Sequence, residues 1–274
     1  MNKKSYPFSE LNLWLAKVEE IHILLPEKPS LDLVASGCSL SSSLKKGGKK
    51  TVLVCPEEVK VKFGQVYGVN EIRDKISERS FIISINYNLE DVEKVAWDDK
   101  EQKVNLIIQP KEEAPIIRED MVSFSSRGGK VSNIITLGFR SSQELQAGLS
   151  RLGQNSNLLE QIEVVNIGIG AEWERESFGQ VKIIDSQASS FSEIIAALIE
   201  GLSLPIDESE ASNLLLGLRA ATNSFSAANL GADAFEAAAF CLRAGGKLTE
   251  AAPQGATVNF GKPKIYQGTQ ISEK

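Results

Sequence analysis

The sequence predicts an α/β protein with a mainly parallel, Rossmann-like sheet and flanking helices, an antiparallel β insertion and a helical C-terminal third. The first observation is a strand, helix and strand unit over residues 21–55, where the apolar runs IHILL and TVLVC bracket a segment rich in small residues. The second is a further strand and helix series over 132–185. The third is a set of three amphipathic segments between 189 and 245.

The elements of the first unit follow from apolar periodicity and turn residues. Apolar residues interleaved with charge predict a helix over about 10–20, capped by Ser9. The Pro-containing turn PEKPSLD separates a strand at 21–25 from a helix at 33–46, and a Gly-Gly pair ends that helix before the strand at 51–55. Because parallel strands need a crossover connection, the two strands are expected to be parallel neighbours.

A β-rich insertion is predicted at residues 79–130. Its strand-like runs are RSFIISINY, VEKVAW and KVNLIIQP, the last two joined by the polar turn DDKEQ, and SSRGGK reads as a flexible return. The insertion divides one α/β domain into a first part at 1–78 and a second part at 131–246. Residues 247–274 lack a core pattern and are interpreted as a surface tail.

The second part contains alternating strands and helices. We predict strands at 132–139, 162–167 and 180–185, a helix near 142–152, and final helices at 189–202, 207–222 and 231–245. The strand IEVVNI is expected to end at Ile167, with Gly168, Ile169 and Gly170 forming a tight turn. In a parallel sheet this carboxyl end is where ligands bind.

The composition and the N-terminal segment exclude several classes of protein and of site. The 36 acidic and 30 basic side chains give a net charge of −6, which argues against nucleic acid as a partner. The N-terminus has neither a signal peptide nor a membrane span, so a cytoplasmic protein is expected. Cys38, Cys55 and Cys241 are interpreted as reduced packing residues. The chain has one histidine, His22, at the start of an apolar run, so a histidine-rich metal cluster or a catalytic triad elsewhere is excluded.

Two glycine-containing stretches resemble binding loops but favour structural uses. The pair Gly168 and Gly170 is half of a phosphate-loop pattern, yet Glu172, Glu174 and Glu176 would repel a pyrophosphate. The stretch LKKGGKK ends a helix, where lysines interact favourably with the helix dipole and glycine stops the turn.

Asp32 has two interpretations that the residues leave open. It follows the first strand through a Pro-Ser-Leu turn, so it would lie at the carboxyl edge of the sheet, where it could ligate a metal ion. Aspartate is also a preferred N-cap residue, and the predicted helix begins here.

The order of these pieces resembles the DHH-family phosphoesterases, which include oligoribonuclease/phosphoadenosine-phosphate phosphatases, exopolyphosphatases and related exonucleases. The stretch ILLPEKPSLDLVASGCSL is similar to the family's strand, His-x-Asn-Pro-Asp-x-Asp-Ala turn and small-residue helix. NIITLGF and VVNIGIG then match strands that end in metal ligands, and ASSFSEIIAALIEGL and LLLGLRAATNSF match two later helical motifs. The resemblance covers about 20–57 and 132–246 and implies a DHH domain interrupted by the insertion.

The resemblance implies a site for two manganese ions that activate water for attack on phosphorus. Residue by residue, however, the family's ligands and their neighbours fall on Pro26, Lys28, Ser30, Asp32, Gly138, Gly168, Ile169, Gly170 and Ala221. Only Asp32 keeps a metal-binding side chain, and one carboxylate cannot offset four positive charges. We also expect no counterpart of the family's accessory C-terminal domain after residue 246.

The leading hypothesis is therefore a catalytically inactive, DHH-like binding or scaffold module with no metal or other cofactor. A ligand would occupy the cleft expected to be lined by Ser30, Asp32, Ser36, Gly138, Gly168, Gly170, Ala221 and Asn223. The insertion, with Tyr87 and Trp97, offers a surface for a protein partner. A second copy of the chain, forming a homodimer, is one such partner.

The alternative is a manganese-dependent phosphoesterase with an altered site, acting on nucleotides or short oligonucleotides. It would hold one metal ion between Asp32 and an acidic residue of 172–176.

Overall fold

Five parallel strands form the central sheet of the computed structural model, which describes residues 6–76, 80–100, 103–127, 131–152, 154, 159, 161–171, 177–227 and 230–248. The strands in chain order are β1 (Glu20–Leu24), β2 (Lys50–Val54), β3 (Ser80–Ile85), β4 (Val92–Lys100), β5 (Lys103–Pro110), β6 (Val122–Arg127), β7 (Asn133–Leu137), β8 (Glu163–Ile169) and β9 (Val181–Asp185). The large sheet has the order β2-β1-β7-β8-β9. The predicted α/β fold class is confirmed.

Helices cover both faces of this sheet. They are α1 (Phe8–Lys17), α2 (Leu31–Lys46), α3 (Ser142–Arg151), α4 (Phe191–Gly201), α5 (Glu208–Ala221) and α6 (Ala232–Arg243). On one face, alternate side chains of the strands pack with all of these helices except α3 in the main hydrophobic core. The strand side chains that point to the other face pack with α3 in a smaller core, which contains Leu24, Ile134 and Leu145.

Helices α2 and α5 lie side by side in opposite directions. Near the start of α2, Asp32 lies by Gly217 of α5. Further along, the Ser39 hydroxyl donates to the Glu210 carbonyl at 3.1 Å. Because α2 begins after β1, this arrangement brings the C-terminal end of α5 to the carboxyl edge of the sheet.

Residues 80–100 and 103–127 contain two small antiparallel sheets, β3 with β6 and β4 with β5. Strand β6 includes Ser125–Arg127, so the interpretation of this part of SSRGGK as a flexible return was wrong; the rest of that stretch lies outside the described residues. Its alternating serines carry a weak apolar signal, and the strand forms because β3 supplies a pairing partner.

Three predicted boundaries differ in the structure. Helix α1 begins at Phe8 after Pro7 and has no side-chain cap, so Ser9 lies inside the helix. Helix α2 begins at Leu31. Strand β8 continues through Gly168 and Ile169, because these residues pair with Ile184 and Asp185 of β9. The expected turn at Gly168 was therefore wrong.

No helix in the described part of the chain has both the length and the apolar character needed to cross a membrane.

Candidate functional site

The carboxyl ends of the parallel strands meet at one edge of the sheet, and the candidate site lies there. Helices α2 and α4 begin at this edge, and α5 ends there. Each helix N-terminus presents unsatisfied N–H groups and a partial positive charge, so side chains that accept hydrogen bonds are expected close by.

Ser30 caps α2. Its hydroxyl accepts a hydrogen bond from the Leu33 N–H at 3.2 Å, and its backbone is extended, as an N-cap residue requires. The sequence left open whether Asp32 caps this helix, and the structure assigns that role to Ser30.

Asp32 instead binds the N-terminus of α4. Its Oδ2 atom accepts from the Phe191 N–H at 2.7 Å, and its Oδ1 atom accepts from the Ser192 N–H at 2.9 Å and the Ser192 hydroxyl at 2.6 Å. The side chain is 5% exposed. The carboxylate therefore satisfies two orphan N–H groups of a helix that is distant in sequence.

Burial governs the protonation of this carboxyl group. It raises the pKa of Asp32 to about 6, and the hydrogen bonds from Ser192 and Phe191 limit the rise. Near neutral pH the group is thus mainly ionised, and its charge is compensated by the donors at the start of α4.

Ser36 extends the same buried cluster. Its hydroxyl lies 3.0 Å from the Ser192 hydroxyl and 3.5 Å from Asp32 Oδ1, and it is fully buried. Gly217 closes the cluster from α5, because a Cβ atom there would overlap the Ser192 side chain and stand 2.8 Å from Asp32 Oδ1. Asp32 and Ser36 are consequently packed between helices and do not line an open cleft.

Gly138 and Gly170 both occupy strand ends with positive φ, at 83° and 114°. The Gly138 N–H donates to the Ile167 carbonyl at 3.1 Å, and a Cβ atom at this position would stand 3.0 Å from Leu33 Cδ2. The Gly170 N–H donates to the Asp185 carbonyl at 3.2 Å. A residue with a side chain, including a metal-binding aspartate, would be strained at position 138. Gly168 is buried inside β8.

Ala221 ends α5, and Asn223 follows it in a left-handed turn. Asn223, Ser224 and Phe225 have φ values of 48°, 57° and 64°, which non-glycine residues adopt uncommonly. The Thr222 hydroxyl supports the turn by donating to the Leu218 carbonyl at 2.6 Å and accepting from the Phe225 N–H at 3.0 Å. Both candidates lie at the same end of the sheet as Ser30, and both are exposed.

The remaining single residues have structural roles. His22 lies on β1 between two neighbouring strands and is 6% exposed, so it is an interior residue, and burial lowers its pKa. The three cysteines are free and buried, as predicted. Lys46, from the stretch LKKGGKK, forms ion pairs with Asp207 at 2.5 Å and Glu210 at 2.6 Å.

Sequence reasoning missed Ser192 and the pair formed by Tyr6 and Asp185. The Tyr6 hydroxyl donates to Asp185 Oδ2 at 2.6 Å, at the end of β9. The local pattern ASSFSE indicates a helix start, with Ser190 as N-cap and Glu193 near it. It carries no signal for the contact of Ser192 with Asp32, which depends on packing, and the pair of Tyr6 and Asp185 likewise joins segments that are distant in sequence.

The residues at the family's ligand positions do not fit a pair of manganese ions. Gly138, Gly168 and Gly170 have no side-chain donors, and both Asp32 oxygens accept hydrogen bonds from α4. Among the described residues, no group of three or more His, Cys, Asp or Glu side chains is placed to hold a metal ion. The acidic residues of 172–176 lie outside the described residues.

A cleft lies beside β2, away from the carboxyl edge of the sheet. It has a volume of about 990 Å³ and is bordered by α2, by the segment 67–75 and by the start of α5. None of the predicted site residues lines it. We refer to it as the β2-edge cleft.

Comparison with known proteins identifies the fold. No protein-family model and no curated protein matches the chain. Among solved structures, an exopolyphosphatase-related protein from Bacteroides fragilis aligns with a TM-score of 0.54 and 17% identity, over 87% of this chain and 56% of that one. A putative family II inorganic pyrophosphatase from Methanococcus jannaschii gives a TM-score of 0.39 and 13% identity, over 82% of this chain and 56% of that one. This chain thus spans little more than half the length of either protein, and its fold is similar to that of the first.

Proposed function

We propose that this chain is a degenerate DHH-phosphoesterase-like protein that acts as a binding or scaffold module and does not catalyse hydrolysis. The observation that carries the proposal is the position of the Asp32 carboxylate, which accepts hydrogen bonds from the Phe191 and Ser192 N–H groups at the start of α4. The one carboxylate that the family resemblance places among the metal ligands has a structural partner for each oxygen.

Energetics support this assignment. A metal ion at Asp32 would compete with three hydrogen bonds and leave buried N–H groups of α4 without an acceptor. Each such unsatisfied group costs about 1–3 kcal/mol. At the neighbouring strand end, the positive φ of Gly138 and the crowding that an added Cβ atom would meet from Leu33 favour glycine over a ligand.

The partner surface that we propose is the face of the β4–β5 hairpin that carries Val95, Trp97, Leu106 and Ile108. In the register of this pair, Val95 lies opposite Ile108 and Trp97 opposite Leu106, so these side chains share one face. Trp97 is 70% exposed and Val95 60% exposed. Aromatic and aliphatic side chains grouped in this way are typical of a protein interaction site.

The test of catalysis is Mn²⁺-dependent hydrolysis of a dinucleotide and of bis-p-nitrophenyl phosphate, combined with elemental analysis of the purified protein. We expect no turnover above the buffer rate and about zero bound manganese per chain. Turnover that is lost in Asp32→Asn but kept in Ser30→Ala, or about one manganese ion per chain, would support the altered phosphoesterase instead. Circular dichroism of both variants ensures that lost activity does not reflect unfolding.

A further inference from the structure

The outer edge of β2 has hydrogen-bonding groups that the sheet does not use. Arg73 lies beside β2, where its N–H donates to the Leu53 carbonyl and its carbonyl accepts from the Cys55 N–H, both at 2.9 Å. On the inner side, Lys50 donates to the Glu19 carbonyl and the Val54 carbonyl accepts from Leu25. Successive residues of a strand point their backbone groups to opposite sides.

By this alternation, the Thr51 N–H, the Thr51 carbonyl and the Leu53 N–H point outward. Within the described part of the chain, no backbone hydrogen bond from the outer side reaches these three groups. Among the residues that the structure describes, pairing on that side consists of the bridge between Val54 and Arg73. It does not extend further because residues Val69–Glu71 form a single turn of 3-10 helix instead of a strand.

The β2-edge cleft lies along this unused edge. Thr51 and Leu53 line it, and the Thr51 hydroxyl lies 2.8 Å from the Ser41 hydroxyl of α2. Thr51 and Leu53 are two residues apart in the strand, so their side chains lie on the same face of the sheet. That face is the one covered by α2. A strand added at this edge would therefore direct alternate side chains toward the polar surface of α2.

The charges of the cleft are unequal. Its charged side chains are five basic and three acidic residues: Lys45, Lys46, Lys60, Arg73, Lys75, Glu71, Asp74 and Glu210. Lys45 pairs with Glu71, and Lys46 pairs with both Glu210 and Asp207. Lys60 and Lys75 have no ion pair among the described residues and leave the cleft with positive charge.

We propose that the β2-edge cleft binds an extended peptide with acidic side chains, supplied by another protein, which adds to the sheet as a sixth strand beside β2. The three outward backbone groups of Thr51 and Leu53 provide the hydrogen bonds, as in strand addition at other sheet edges. Lys60 and Lys75 favour carboxylate side chains by charge complementarity. This site is separate from the carboxyl edge, and it goes beyond the proposed function by naming a ligand class.

The experiment is amide hydrogen exchange of the full chain, followed by NMR, with an acetylated and amidated Thr-Glu-Val-Glu-Val-Thr peptide as probe. At a concentration about ten times its Kd, the peptide should slow exchange at Thr51 and Leu53 about tenfold. Val52 and Val54, whose N–H groups point inward to β1, serve as internal controls and should not change. The same peptide with lysine in place of glutamate should bind more weakly.

The double variant Lys60→Glu/Lys75→Glu should lose the protection by the acidic peptide, and both changes are in lysines outside the two hydrophobic cores. The proposal is overturned if millimolar acidic peptide leaves Thr51 and Leu53 unchanged, or if the lysine peptide protects them equally. It is also overturned if the amides are already protected in the free chain. Loss of that protection on removing residues 249–274 would identify the chain's own C-terminal segment as the occupant, and protection that rises with protein concentration would identify a second copy.

Discussion

The Asp32 carboxylate accepts hydrogen bonds from both the backbone N–H and the hydroxyl of Ser192, at 2.9 and 2.6 Å. This contact joins the starts of α2 and α4 at the carboxyl edge of the sheet. A residue that could have ligated a metal ion is therefore part of the framework that holds two helices together.

The first prediction concerns pH. Because the pKa of Asp32 is raised from 3.8 to about 6, the folded chain binds a proton here more tightly than the unfolded chain. Protonation of Asp32 therefore stabilises the folded chain. This stabilisation is complete below the ordinary pKa of 3.8 and is lost as the pH rises through about 6. A pKa shift of this size corresponds to roughly 3 kcal/mol in the free energy of unfolding. The Asp32→Asn variant should not show this loss with rising pH, because its side chain stays neutral.

Urea unfolding of both proteins between about pH 4 and about pH 7 measures this difference, and the contributions of other groups cancel in the comparison. The free energy of unfolding of the natural chain should fall relative to that of the variant over this range. Parallel pH profiles would contradict the assignment.

The second prediction is that Gly217→Ala destabilises the chain by about 2 kcal/mol, although alanine is the better helix former by about 1 kcal/mol. The new methyl group would overlap Ser192 and crowd Asp32. Gly64→Ala is the matched control, because a Cβ there meets only the Lys60 carbonyl at 3.7 Å. Chemical denaturation measures both variants.

A double-mutant cycle identifies the source of that effect. Ser192→Ala removes the overlapping hydroxyl, so Gly217→Ala should cost less in the Ser192→Ala background than alone. Purely additive losses would indicate that the strain lies elsewhere.

The third prediction compares two neighbouring lysines of α2. Lys46 pairs with Glu210, which is 3% exposed, whereas the partner of Lys45, Glu71, is 66% exposed. Removing Lys46 leaves a buried carboxylate without its counter-ion, so Lys46→Ala should lower the free energy of unfolding by about 2 kcal/mol. Lys45→Ala should lower it by less than about 1 kcal/mol. Equal losses in urea unfolding would show that the burial of Glu210 is not decisive.

The fourth prediction is that the apolar face of the β4–β5 hairpin joins two copies of the chain. Analytical ultracentrifugation of the natural chain should give about twice the mass of one copy, and Trp97→Ser/Leu106→Ser should give a folded monomer, because both side chains are exposed within one copy. Leu89→Ser, at a position that is 84% exposed and outside the hairpin, is the control. A monomeric natural chain at all concentrations rules out the homodimer.

The order of elements was largely predictable because strong local patterns produce it. Apolar runs such as TVLVC and IEVVNI have the composition of buried parallel strands, and they form β2 and the first part of β8. The last three helices follow from apolar spacing and start signals. Strand β6 was not predicted, because its alternating serines have little intrinsic signal and its pairing with β3 is long-range.

By itself, the sequence determined that the strand ends at Gly138, Gly168 and Gly170 have no metal-binding side chains, because a ligand atom is either encoded or absent. It also determined that Asp32 lies near the start of a helix. Only the tertiary structure decided that Asp32 binds the start of α4, since its partner Ser192 is 160 residues away in the chain. The same holds for the continuation of β8 through Gly168, which requires β9 alongside. In each case the hydrogen-bond partner is chosen by packing between distant segments, which local patterns do not encode.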